Sequence, residues 1–261
     1  MNAIRDAFHR HRFLFTELVK RDFKKKYKRT YLGMIWSLLS PLLSLSVMYL
    51  VFSNIFRSSI ENYLIYLFCG NVVWTYFSDA TNGGMASLMD NANIFSKINV
   101  PKYLFLFSRN LSSLINFGMT FIVFLIFCVA TGVDFGFHFF LLIIPILCLI
   151  VFNIGLGLIL SAMFVFFRDV QYLWSVFLTL LMYMSAIFYN PATIELFGVS
   201  ADKLLMLNPV YTIIKYFRLI VLDGVIPNWQ HHLLMLGYAL LALTVGALIY
   251  KKKNHKFLYY I

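Results

Sequence analysis

An all-α integral membrane protein with six transmembrane helices is the fold class this sequence predicts. Three observations carry the prediction. Of 261 residues, 61% are apolar and 13% charged, where a soluble domain has about half and about a quarter. Several uncharged runs reach the roughly 20 residues a helix needs to cross the hydrocarbon core. With 28 Phe and 16 Tyr, aromatics make up 18% of the chain, which excludes disorder and low complexity.

The elements follow in order. Residues 1–33 are basic, with Ile4, Phe8, Phe15, Leu18, Val19 and Phe23 interspersed, and such a segment lies along the membrane as an amphipathic interfacial helix. It has no short apolar core followed by a small-residue cleavage site, so the first span acts as an uncleaved anchor. The spans are Met34–Phe56, which contains Pro41; Tyr63–Ser78, short but closed by Trp74 and Tyr76; Tyr103–Thr131, interrupted only by Arg109; Phe137–Phe167; Val170–Ile194; and Leu233–Tyr250. In the fourth, Pro145, Gly155 and Gly157 predict a tilt, a kink or an extension beyond the bilayer. Within the connection Asn82–Lys102, Met85, Leu88, Met89 and Ala92 recur at helical spacing and predict a short amphipathic helix. The connection Glu195–His232 holds two apolar stretches, Leu204–Leu207 and Tyr211–Leu222, joined at Asn208-Pro209. Both are too short to span, so they are interfacial or re-entrant helices. No internal repeat relates the halves.

Orientation follows from charge. The formal net charge is +11, which in a soluble protein would suggest nucleic acid but here marks the cytoplasmic loops. Seventeen of the 22 Lys and Arg fall in segment 1–33, the second-to-third and fourth-to-fifth connections and the tail; Arg57, Lys203, Lys215 and Arg218 lie opposite, and Arg109 within a span. Both termini are therefore expected in the cytoplasm, and no nucleic-acid partner is expected.

Catalytic chemistry is not visible. No predicted span contains Asp or Glu, although Asp79 sits just past the end of the second. Adjacent His231 and His232 point about 100° apart on a helix and suit a shared metal poorly. His9 and His11 sit among arginines. Cys69, Cys128 and Cys148 are odd in number and widely spaced, which favours packing over a disulfide or a metal site. No G-x-x-x-x-G-K-[ST] run is present, so the chain is not expected to bind ATP by a P-loop, and Gly83-Gly84 is a loop hinge. Ion-coupled transport places carboxylates at membrane depth, and their absence directs the energy source to a partner. The 82–102 connection is where such a partner could dock, although local packing of its helix is an equal alternative.

The run Lys26–Leu42, KYKRTYLGMIWSLLSPL, is specific enough to carry a resemblance. A basic segment, then Tyr31-Leu32-Gly33, Trp36 and Pro41 entering the first span, resembles the membrane subunit of type-2 ABC exporters, in their polysaccharide branch (O-antigen, capsule, teichoic acid, rhamnan). Ile94–Pro101 (IFSKINVP), Phe167-Arg168-Asp169-Val170, and Asn208-Pro209-Val210 with Arg218 match in register, so the resemblance spans nearly the whole chain. It implies a homodimer in the bacterial cytoplasmic membrane, bound to two copies of a separate ATPase that holds ATP and Mg; no cofactor is expected on this chain. The implied cargo is a polyprenyl-pyrophosphate-linked glycan passing between the two subunits.

The resemblance implies ATPase coupling at Met85, Leu88, Met89, Ala92, Ile94 and Lys97. Arg21, Lys24, Lys25, Lys28 and Arg29 offer donors for a pyrophosphate as well as for anionic headgroups, worth about 1 kcal/mol per charge near the surface. Tyr49, Phe52, Tyr172, Trp174, Tyr183 and Tyr189 are candidates for a sugar-stacking pathway, or face lipid and neighbouring helices instead. Arg109, roughly 9 Å inside its span, is expected to snorkel or to pair with Asp79 rather than touch substrate. Arg168-Asp169 braces its turn or meets the dimer partner. Two rival functions remain at this point: the same fold exporting a small hydrophobic compound or lipid, and a membrane glycan-modifying enzyme.

Overall fold

The computed structural model describes residues 2–27, 33–56, 60, 62–97, 100–196 and 199–260, with the side chains of the first helix described from Arg12 to Lys24. Its helices among these residues are α1 (Asn2–Tyr27), α2 (Trp36–Phe56), α3 (Tyr63–Asp90), α4 (Ala92–Phe95), α5 (Tyr103–Ala130), α6 (Ile143–Phe166), α7 (Val170–Met184), α8 (Ala201–Leu205), α9 (Pro209–Val221), α10 (Trp229–Lys253) and α11 (Phe257–Tyr260). A two-residue antiparallel pairing, Glu195–Leu196 with Val199–Ser200, precedes α8. Four helical segments are long and apolar enough to cross a membrane: Trp36–Ile55, Tyr103–Ala130, Phe137–Phe166 and Trp229–Tyr260.

Two segments depart from the sequence expectation. The second predicted span does not stop at Ser78: α3 continues to Asp90 and absorbs the Met85–Ala92 helix expected to stand apart. Its 28 residues are about 42 Å long, but Asn71, Thr75, Ser78, Asp79, Thr81 and Asn82 keep its hydropathy low. The polar residues do not break it, because it is surrounded: Asn71, Thr81 and Ser87 are all buried. The fifth predicted span, Val170–Ile194, is helical only to Met184. Beyond it Ala186 adopts φ 47°, a left-handed conformation that a side chain resists and that ends the helix.

Pro145 does little to α6. It falls in the first turn, where its missing N–H costs no helical hydrogen bond. The irregularity is confined to a 3-10 turn over Phe137–Leu142 that leads into the helix.

The core forms around α3, which packs along α5 and α6 and touches α2 and α9, while α10 lies along α6. The last contact is set by glycine. A Cβ on Gly155 would sit 2.4 Å from the Ala242 carbonyl carbon, and one on Gly246 would sit 2.4 Å from the Gly155 oxygen. Small residues let the two backbones meet, the usual source of helix association in lipid. By contrast α2 and α7 are barely covered. On α2 the buried residues among those described are Ser37 and Leu45. On α7 one stripe, Val170, Trp174 and Leu178, is buried, while Tyr172, Leu173 and Val176 are about two-thirds exposed.

Gly155→Ala is expected to destabilise the α6–α10 pair by about 1–3 kcal/mol through overpacking. Gly118→Ala, where nothing lies within 4 Å, should leave stability intact. Thermal unfolding of the two purified variants in detergent checks the contrast.

Candidate functional site

At the basic end of the bundle, α1 is held by polar contacts. Leu18 and Val19 lie about one helical turn before Asp22 and all three are buried, so α1 presents an apolar stripe that carries one acid inward. Asp22 accepts hydrogen bonds from Arg21 Nη2 at 2.6 Å and Arg21 Nε at 3.0 Å, and Ser108 Oγ on α5 donates to its other oxygen at 3.3 Å. Arg21 Nη2 also donates to Asn91 Oδ1, just past the end of α3, at 2.7 Å. Asn91 Nδ2 in turn donates to the Ser87 carbonyl at 2.7 Å. Arg109 lies 3.7 Å from Asp90. Three helices thus share one network of paired charges and amides.

A polar lane leads from this network into the bundle. One cavity of about 420 Å³ is lined by Asp22, Asp79, Asn82, Arg109 and Ser112, and by Ser113 and Asn116. A second, of about 410 Å³, shares Asp79, Ser113 and Asn116 and continues past Ser40, Thr75 and Thr120 between α2, α3 and α5. Hydroxyls and amides at this depth can solvate a hydrophilic group that lipid would reject.

The opposite end is organised by α9. Asn208 caps it, its side chain accepting from the Val210 and Tyr211 amides at 3.0 and 3.4 Å, and Pro209 occupies the first helical position, where no N–H is needed. The same side chain donates to the Met184 carbonyl at 3.2 Å and to Ser185 Oγ at 3.0 Å. The Arg218 guanidinium lies 3.4 Å from the Tyr66 ring centre, donating to the Ala186 carbonyl at 2.9 Å and the Ile187 carbonyl at 3.1 Å. These carbonyls lie just past the end of α7, in the turn that contains the left-handed Ala186. Tyr63 and Tyr66 hydroxyls take the next two, of Phe188 at 2.8 Å and Tyr189 at 2.6 Å.

Beside them Asp202 binds Lys215 Nζ at 2.6 and 2.7 Å and accepts from the Tyr211 hydroxyl. Burial alone would raise the Asp202 pKa. The hydrogen bonds from Lys215 and Tyr211, with the lysine charge, outweigh burial and hold it below the ordinary carboxylate value.

The candidate residues fall unevenly on this frame. Arg21 is at the centre of the inner network and Lys24 is exposed on α1; Lys28, Arg29 and the side chain of Lys25 lie outside the described residues. Met85 and Leu88 are 6% and 0% exposed and belong to the interior, Leu88 beside Leu18, Phe95 and Phe105. Met89 and Ala92 are half-buried. What the tip offers outward is Asp90, Asn93, Ser96 and Lys97, with Ile94 half-buried. Asp79 and Arg109 line one cavity, while Arg109 reaches Asp90, a partner the sequence did not suggest. Arg168 and Asp169 are exposed in the α6–α7 turn, the arginine 6.0 Å above the Phe164 ring.

The six aromatics do not form one surface. Tyr49 lies 6.3 Å from Tyr63, Phe52 stacks on Phe188 at 4.6 Å and Tyr183 lies 6.1 Å from the same ring, so these three meet at the α9 end. Tyr189, half-buried, donates to the Tyr183 carbonyl at 3.0 Å. Tyr172 is exposed at the other end of α7, about 16 Å away at 1.5 Å per residue. Trp174 is 8% exposed and packs on Phe77 and Phe177, because it falls on the one buried stripe of α7.

Asp22 and Asn91 were missed. Four-residue spacing from Leu18 to Asp22 was the available signal for the first. None marked Asn91 as a partner of Arg21, 70 residues earlier.

Residues 14–222 match the family model of the ABC-2 type transporter, and the chain belongs to this family of membrane transport proteins. It is similar to the O-antigen export system permease protein RfbA of Myxococcus xanthus, 27% identical over 258 residues and 98% of each chain. It is also similar to the protein of that name from Klebsiella pneumoniae, 24% identical over 94% of this chain and 93% of that one. The capsule polysaccharide export inner-membrane protein CtrC of Neisseria meningitidis is 24% identical over 66% of each.

Two outcomes test the α9 end. Arg218→Lys keeps the charge but cannot reach two carbonyls in a fork, so it should lower the unfolding temperature more than Lys203→Ala at an exposed site. Because the Asp202 pKa is depressed on folding, its stabilisation is complete above the ordinary value of about 3.9 and is lost as pH falls below it. Unfolding midpoints between about pH 5 and 3 should therefore drop less steeply in Asp202→Asn than in the wild type.

Proposed function

We propose that this chain is the membrane subunit of an ATP-driven exporter that carries a polyprenyl-pyrophosphate-linked polysaccharide out of the bacterial cytoplasm. The observation that carries the reading is similarity over 98% of both chains to a protein named for O-antigen export. A second relative named for capsule polysaccharide export supports the same substrate class.

In this reading α3 and α7 join the four apolar helices as spans, and both termini are cytoplasmic. At 15 residues α7 is about 22 Å long, short of the hydrocarbon core. Non-helical backbone at membrane depth is tolerated where protein covers it, and Arg218, Asn208, Tyr63 and Tyr66 supply that cover from Met184 to Tyr189. The uncovered faces of α2 and α7 meet a second copy. Asn93, Ile94, Ser96 and Lys97 receive one of two ATPase subunits, which hold ATP and Mg.

Each part then has a task. ATPase closure pushes the tip of α3. Arg21, which joins Asn91 to Asp22, carries the push to α1, and α1 moves with α3 rather than against it. The carrier pyrophosphate meets Arg21, Lys24 and their basic neighbours, and the polar lane accepts the first sugars. Tyr49, Phe52 and Tyr183 stack on sugar faces near the exit without fixing one register.

Depletion of the chain should make polyprenyl-linked polymer accumulate inside the cell, and purification in mild detergent should retain a Walker A protein at one copy per copy. Normal polymer export under depletion, or reproducible absence of an ATPase from an intact preparation, overturns the proposal. A Phe52→Ala, Tyr183→Ala double variant should slow export about 2- to 10-fold, the equivalent of about 0.5–1.5 kcal/mol of aromatic contact. Surface polymer per copy of expressed protein is the readout.

A further inference from the structure

A groove of about 540 Å³ lies on a flank whose wall includes no residue of α2 or α7. Its floor is mostly apolar: Phe107, Leu111 and Leu114 from α5 face Ile150 and Ile154 from α6, with Tyr76 and Asn110 the polar side chains beside them, and the five apolar residues are half-buried. Its mouth is different. Arg12 of α1 and Tyr103 at the start of α5 stand there, both exposed, and no Asp or Glu is among the lining residues.

We propose that this groove binds one anionic glycerophospholipid of the cytoplasmic leaflet, its phosphate at Arg12 and one acyl chain between α5 and α6. Length is the first argument. From Tyr103 to Leu114 the groove follows eleven residues of helix, about 16 Å, which is one leaflet of a hydrocarbon core about 30 Å thick. Charge is the second. Arg12, the one cation among the described lining residues, complements a phosphodiester in the leaflet that concentrates anionic lipid. A long polyprenyl tail would overrun so short a groove. The bound lipid would brace α1 against α5 at Arg12, in addition to the Asp22–Ser108 contact. The inference requires α1 at the cytoplasmic surface, as the proposed topology has it, but not that a glycan is the cargo.

The test is native mass spectrometry of the intact complex, purified in mild detergent and offered equal amounts of phosphatidylglycerol and phosphatidylethanolamine. The wild type should retain one phosphatidylglycerol per chain in preference to phosphatidylethanolamine. Arg12→Gln should reduce that preference about fivefold, the equivalent of about 1 kcal/mol for one basic charge. Leu111→Trp, which fills the groove, should remove the bound lipid, whereas Leu241→Trp on an exposed face of α10 should not; Ile154→Trp serves if the Leu111 variant fails to fold. No preference between the two lipids overturns the proposal, as does undiminished retention in the filled groove or a polyprenyl phosphate in place of the phospholipid. None of these outcomes alters polymer accumulation on depletion, so the failure of lipid binding and of the export reading are separable.

Discussion

A membrane-embedded chain must satisfy its own backbone, since lipid offers no hydrogen bonds. In this protein that constraint falls hardest where α7 stops at Met184, and one arginine answers it. Arg218 reaches the carbonyls of Ala186 and Ile187 while its charged face rests on the Tyr66 ring. The side chain is 7% exposed, so the cation is held by carbonyl dipoles and a π-face. Without it, the left-handed turn at Ala186 would leave buried carbonyls unpaired, at about 1–3 kcal/mol each. α9 exists to deliver this residue: Asn208 starts the helix and ties its start to Met184 and Ser185, so cap and arginine secure the same break from two points.

The same logic explains α3. A helix with this many amides and hydroxyls could not face lipid, so it lies at the centre, where the other helices cover it. Being central and unbroken from Tyr63 to Asp90, it connects the two ends of the molecule. Tyr63 and Tyr66 at its start grip Phe188 and Tyr189, and Asn91 just past its end grips Arg21. A rigid displacement at one end is therefore felt at the other, with no chain of intermediaries beyond the helix itself.

Sequence alone revealed the long apolar helices well, because hydropathy is a local property and α5 needs only its own residues to announce itself. It placed the end of α3 wrongly, since Asn71, Asp79 and Asn82 look like the approach to a loop unless their cover is known. It extended α7 to Ile194 for the converse reason: the apolar run continues, and the turn at Ala186 that ends the helix is held by Asn208 and Arg218, 24 and 32 residues from the carbonyls they bind. Asn208-Pro209 and Arg218 were visible as a motif, but their targets were not. The aromatic candidates show the limit again. Spacing on α7 could not say which stripe would be buried, and Trp174 proved to lie on it while Tyr183 does not.

What remains is a chain whose two ends differ in chemistry. The α1 end gathers Arg21, Asp22, Asp90 and Arg109 and opens into a lane of Ser, Thr and Asn. The α9 end presents Tyr49, Phe52 and Tyr183 around Phe188. A transporter of a small apolar compound has no use for the first, because hydroxyls and amides at membrane depth disfavour an apolar cargo. An ion pathway has no use for the second. A cargo that brings phosphates to one side and sugar faces past the other uses both, in that order. Tyr183 is 56% exposed on α7, whereas Tyr49 and Phe52 are half-buried against Tyr63 and Phe188, so in the proposed dimer it is the α7 side of this aromatic surface that a second copy would close.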